Sequence, residues 1–181
     1  MFLRSRSVAT GLCAVLASLG ATAAHATELD AGESQRIRVH GDIAEHCAIS
    51  SPHDVDFGDL ERATTTTDLK FGLDCNVPFV MRIEAQRGAL TNLAYPQGQG
   101  PYAGSLPYVL DFAIPARSPA SSMIRQSFTG HDLVAGKSIS THGAIATAGM
   151  NVQVVLGRVE GEAGLLAGNY GETITITLTA I

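Results

Sequence analysis

The sequence predicts an all-β fold, an antiparallel β-sandwich. Three observations predict it. Short runs of alternating apolar and polar residues recur along the chain. Gly, Pro, Asn and Ser clusters separate them. Outside an apolar N-terminal run, no stretch carries the 3.6-residue period of an amphipathic helix. The clearest run is the last one, residues 168–181, G-N-Y-G-E-T-I-T-I-T-L-T-A-I. From Thr173 onward the threonines face one way, and Ile174, Ile176, Leu178 and Ala180 face the other. This strand is either the final strand of a closed sandwich or an edge that receives a partner.

The elements follow in order. Residues 1–26 read as an export signal: Arg4 and Arg6 begin it, residues 8–19 are apolar but too short for a membrane span, and Ala24-His25-Ala26 offers a cleavage site. Cys13 follows Leu12, which does not fit a lipoprotein signal. Residues 27–35 are polar and expected to be loose on their own. Counting by twos, Leu29, Ala31, Ile37, Val39, Gly41, Ile43 and Cys47 share a face. Glu33, Gln35 and Glu45 interrupt that face, so the alternation is cleanest over 37–43. Further strands are expected at 69–75, 79–85, 107–114, 123–128, 139–145 and 151–159. Turns or loops are expected at 76–78, 94–104 and 115–122, where Gly, Pro, Gln and Ser gather. The exported chain is thus divided into a segment, 27–40, and one domain, 41–181.

Composition narrows the chemistry. Without Arg4 and Arg6, 10 basic residues (12 − 2) face 17 acidic ones, a net charge of −7 against −5 for the whole chain. No basic patch with interleaved aromatics suggests nucleic acid, and no polybasic run suggests a stable membrane contact. Cys47 and Cys75 form an even pair in an oxidising compartment, so a disulfide is expected rather than two free thiols or a metal pair. Closing that loop is worth roughly 3–4 kcal/mol in the chain-entropy account.

No catalytic constellation emerges. There is no G-x-S-x-G elbow, and Ser118, Ser121 and Ser122 suit a loop. Gly98 and Gly100 precede neither a helix nor a Lys that would make a phosphate cradle. His40, His46, His53, His131 and His142 lack ligand spacing, in particular the H-x-H of a copper/zinc superoxide dismutase. Asp54/Asp56 and Glu160/Glu162 suit solvated turns. No metal, no cofactor and no enzymatic activity are expected.

Three stretches then resemble a known family: I-R-V-H-G-D-I-A-E-H-C-A-I-S; V-D-F-G followed by L-K-F-G-L-D-C; and V-V-L-G-R-V-E-G-E-A-G-L-L-A-G-N-Y-G-E-T-I-T-I-T-L-T-A-I. With L-P-Y-V-L-D they resemble pilus subunits of the chaperone–usher pathway, especially the spore-coat-protein-U-like domain of archaic pili. The likeness spans nearly the whole exported chain and is weakest over 94–122. It implies an immunoglobulin-like sandwich lacking its last strand, filled first by a periplasmic chaperone and then, at an outer-membrane usher, by the N-terminal segment of a neighbouring subunit. Leu29, Ala31, Ile37 and Val39 would then be the donor residues, and Ile174, Ile176 and Leu178 would line or flank the receiving groove. The implied destination is a cell-surface pilus serving adhesion or biofilm formation. An ordinary first strand is the other reading of the N-terminal segment. A secreted coat protein or adhesive tip is the other reading of the whole.

Overall fold

An alternating segment becomes a strand only where a neighbour supplies a hydrogen-bonded ladder, and that condition sorts the expected elements. The computed structural model describes residues 35–50, 54–61, 65–159 and 163–181. The chain divides into Met1–Gly41 and a unit spanning Asp42–Ile181. Of the first, residues 35–41 are described. They are exposed and form no strand, and neither does Ile43 at the start of the second unit. Among the described residues, the clean alternation over 37–43 has no ladder to join.

Eleven strands and one short helix are described in the second unit: β1 (Cys47–Ser50), β2 (Thr66–Cys75), β3 (Phe79–Ala85), β4 (Leu90–Asn92), β5 (Ser105–Leu106), β6 (Tyr108–Ser118), β7 (Ala120–Thr129), α1 (Gly130–Val134), β8 (Lys137–Ser140), β9 (Met150–Leu156), β10 (Tyr170–Gly171) and β11 (Ile174–Ala180). They form a five-stranded sheet, β1-β2-β9-β6-β7, a three-stranded sheet, β11-β3-β8, and a small β10-β4-β5 sheet. Every strand-to-strand ladder is antiparallel.

One core lies between the two larger sheets. Leu73, Leu110, Phe112, Ile114, Met150 and Val152 enter it from the first, and Phe79, Met81, Ile83 and Ile139 from the second. The expected inward face of β3, Phe79, Met81, Ile83 and Ala85, is buried throughout. Buried Thr141 closes the end of that strand. Its hydroxyl accepts the Phe79 N–H at 3.0 Å and donates to the Phe79 carbonyl at 3.1 Å. The disulfide joins Cys47 to Cys75, which sit opposite each other in the β1–β2 register, so the four-residue edge strand is stapled to its neighbour.

Three expectations are corrected. Residues 115–122 are not a loop: β6 and β7 run through them as a long hairpin from Val109↔Thr129 to Ser118↔Ala120. Pro115 is tolerated because its missing N–H faces a gap. The β6–β9 ladder ends at Ala113↔Asn151, and the next bond on that side is at Arg117, which exchanges bonds with Ile145. The second correction is a helix. Thr129 caps α1, its hydroxyl accepting the Asp132 N–H at 3.2 Å while the Asp132 carboxylate accepts the Thr129 N–H and O–H. Those bonds hold the Asp132 carboxyl below its ordinary value. Five residues are too few to leave a periodic signature in the sequence.

The strand expected at 139–145 is also shorter. β8 stops at Ser140, and His142 turns the chain at φ 49°.

Candidate docking groove

The C-terminal strand β11 is an edge. Its ladder runs along β3 from Ile174↔Ala85 to Ala180↔Phe79. The flanking bonds fix which groups face which side: the Gln86 N–H donates to the Thr173 carbonyl and the Ile181 N–H to the Pro78 carbonyl. Odd-numbered residues therefore bond to β3. Ile174, Ile176, Leu178 and Ala180 turn their N–H and C=O groups to the other side, where no strand pairs with them among the described residues. Across the sandwich, β1 is likewise the edge of its own sheet.

Between these two edges the core is open. A cavity of about 580 Å³ is lined by Ile49 of β1, Leu69 and Phe71 of β2, Val154 of β9, and Ile174 and Ile176 of β11, with Tyr108 among its walls. Burial follows the opening. Along β2, Leu69 and Phe71 are half-buried whereas Leu73 and Cys75 are buried. The best strand signal in the sequence ends up with Ile174 37% exposed and Ile176 only half-buried. Inward-pointing residues of a closed sandwich are covered on both sides; these are covered on one.

Glu172 sets the start of β11. Its carboxylate accepts the backbone N–H groups of Arg87 at 3.0 and 3.1 Å, Gly88 at 2.5 Å, Ala89 at 3.2 Å and Thr173 at 2.7 Å. One side chain thus satisfies the turn between β3 and β4 and ties it to the last strand. The Tyr170 hydroxyl donates to the Leu166 carbonyl at 2.6 Å, pinning the preceding loop. The acidic and tyrosine positions of the N-Y-G-E-T stretch are therefore anchors for β11.

A second cavity, of about 760 Å³, shares Val55, Phe57, Leu90 and Glu172 with the first and continues past Leu60, Leu165 and Leu166. The rest of the second cavity's lining is mostly polar, with Asp56, Asp59, Glu61 and Asn169 among it. Tyr108 lines the first cavity with 2% of its surface exposed; its hydroxyl is sealed from the surface and has no hydrogen-bond partner among the described residues. Burial and, secondarily, the Glu172 charge push its pKa up, so the hydroxyl keeps its proton.

Of the groove residues named from the sequence, Ile174 and Ile176 line the cavity, while Leu178 packs half-buried against the core beyond it. Of the donor residues, Ile37 and Val39 are 83% and 88% exposed, and Leu29 and Ala31 lie outside the described residues. The opposite wall, Ile49, Phe71 and Tyr108, was not singled out. The period of two marks those residues as inward-facing, but only strand order shows that they meet β11. Among the described residues, no three His, Cys, Asp or Glu side chains gather as a metal site, and no helix is long and apolar enough to cross a membrane. No protein-family model and no curated protein matches this chain.

Proposed function

We propose that this chain is a structural subunit of a surface pilus, an incomplete immunoglobulin-like sandwich assembled by the chaperone–usher pathway through strand exchange. One observation carries the reading: an apolar cavity bordered by an edge of β11 that no strand among the described residues pairs with, where a covered sandwich face would be expected. An inserted strand offers what that edge needs, main-chain partners for Ile174, Ile176 and Leu178 and apolar side chains for the cavity. Left open, such an edge is an aggregation hazard, which gives a periplasmic chaperone its physical role. Insertion by the N-terminal segment of another copy is head-to-tail and does not close on itself, so it builds a fibre. The resemblance of the sequence to spore-coat-protein-U-like pilins supports the same reading.

The test is periplasmic expression with and without a cognate chaperone, followed by unboiled denaturing gel electrophoresis. Solubility that depends on the chaperone, with a ladder of multimers, is the expected result. Ile37→Asp, which puts a charge on the donor face, should fold with the chaperone but give no ladder. A soluble monomer that needs no partner would mean a closed sandwich and a secreted binding protein.

A further inference from the structure

We infer that the loop between β4 and β5, residues 93–104, is a binding site for a neutral oligosaccharide, with Tyr95 and Tyr102 as stacking surfaces and Gln97 and Gln99 as partners for its hydroxyls. This goes beyond the strand-exchange reading and does not depend on it. Leu93, Tyr95 and Tyr102 are 57%, 52% and 46% exposed. Gln97 and Gln99 between the tyrosines are exposed as well. Neither phenol hydroxyl and neither glutamine amide has a hydrogen-bond partner among the described residues. The exposure does not come from a loose chain. Gln99 and Tyr102 exchange both backbone bonds at 3.1 Å, closing a two-residue hairpin over Gly100 and Pro101. The neck of the loop is packed on itself: a Cβ at Gly98 would strike the Tyr102 carbonyl, and one at Gly104 the Tyr95 carbonyl. Asn92 holds the loop from below. It is buried, its amide oxygen accepts the Ala94 and Tyr95 N–H groups at 3.0 Å each, and its NH₂ donates to the Leu166 carbonyl at 3.4 Å. Both tyrosines therefore rise from one fixed knot, and a ligand that meets them orders little chain on binding.

The chemistry selects the ligand class. No charged residue and no His stands between Arg87 and Asp111. Phenol hydroxyls and glutamine amides both donate and accept, as sugar hydroxyls do. A tyrosine ring covers the C–H face of a pyranose while its own hydroxyl stays in water. The neighbouring cavity sets the charge of the ligand. Tyr102 lines it together with Asn169, whose backbone carbonyl accepts the Leu93 N–H at 2.9 Å, and with Asp56, Asp59 and Glu61. Carboxylates accept hydroxyl protons from a sugar but repel uronate, sialate and phosphate groups. The site therefore favours a neutral glycan over an acidic one.

Titration calorimetry tests the assignment. The full exported chain, in whichever form it is soluble, is titrated with cellohexaose, maltohexaose, mannohexaose and chitohexaose, and with hexagalacturonate as the acidic comparison. At least one neutral hexaose should bind, about tenfold or more tighter than hexagalacturonate. Tyr95→Ala and Tyr102→Ala should each weaken that binding by about tenfold, and Gln97→Leu and Gln99→Leu by about three- to fivefold. Tyr95→Phe keeps the ring and should cost less than about threefold. All these side chains are exposed, so the thermal midpoint should stay that of the wild type. Absence of binding by every neutral hexaose, tighter binding of hexagalacturonate, or wild-type affinity in either Tyr→Ala variant would overturn the assignment. Self-association that Tyr95→Ala abolishes would give the loop to a second copy of the chain and overturn it too. None of these outcomes touches the strand-exchange reading, which the ladder of multimers tests by itself.

Discussion

At the scale of single residues, Cys47 and Cys75 do the most with the least sequence. β1 has four residues and one ladder, and the chain before it is tied to the end of β2 through Asn76, whose side-chain NH₂ donates to the Ala44 carbonyl and whose amide oxygen accepts the His46 N–H; the disulfide adds the covalent link. Loss of the cross-link in Cys47→Ser should destabilise the protein by about 3–4 kcal/mol, read as a lower urea midpoint. Reducing the wild-type protein should bring it to the same midpoint, and an unchanged midpoint in both would show that β1 is held by other means. This pair was legible from the sequence because an even pair of cysteines beyond an expected export signal suffices to predict it. Tyr108 and Glu172 were not legible as a polar spot. They lie 64 positions apart (172 − 108), Tyr108 on β6 and Glu172 in the connection between β10 and β11, and their approach depends on the whole topology. The sequence marks Tyr108 only as an inward position of an alternating strand, which does not say whether its hydroxyl finds a partner.

At the scale of elements, β3 and β11 show when period two is a faithful guide. Both alternate cleanly, and both formed strands with the expected residues facing inward. The β6–β7 hairpin shows when residue type misleads. Pro115 and the serines after it read as a loop, yet the proline occupies the gap between two stretches of ladder and the serines lie on an exposed edge strand. Residues 37–43 show the converse, alternation with no strand partner among the described residues. The two faces of β11 should differ accordingly. Ile176→Asp puts a charge into the cavity and should weaken capture of a peptide of residues 27–40 by more than about 100-fold. Thr177→Asp, on the exposed face one residue later, should change it by less than about threefold, within the usual range for exposed substitutions. Equal effects would mean that the peptide binds elsewhere than the cavity.

At the scale of the whole molecule, the open side of the sandwich should be measurable in the backbone itself. The β11 register divides its amides into two sets. The N–H groups of Thr175, Thr177 and Thr179 face β3, and those of Ile174, Ile176 and Leu178 face the unpaired edge. In the isolated chain the first set should exchange with deuterium slowly and the second rapidly, although the residues alternate along one strand. Side-chain burial alone would predict the reverse, because the threonines are the exposed residues and Ile176 and Leu178 are half-buried. Filling the groove supplies carbonyl acceptors to the second set and should slow its exchange by about tenfold or more, leaving the threonine set little changed. Amide exchange followed by nuclear magnetic resonance, with and without the 27–40 peptide, separates the outcomes residue by residue. Slow exchange at Ile174, Ile176 and Leu178 in the isolated monomer would mean that another part of the same chain already pairs with this edge. The fold would then be complete within one molecule, and fibre growth would need some other contact.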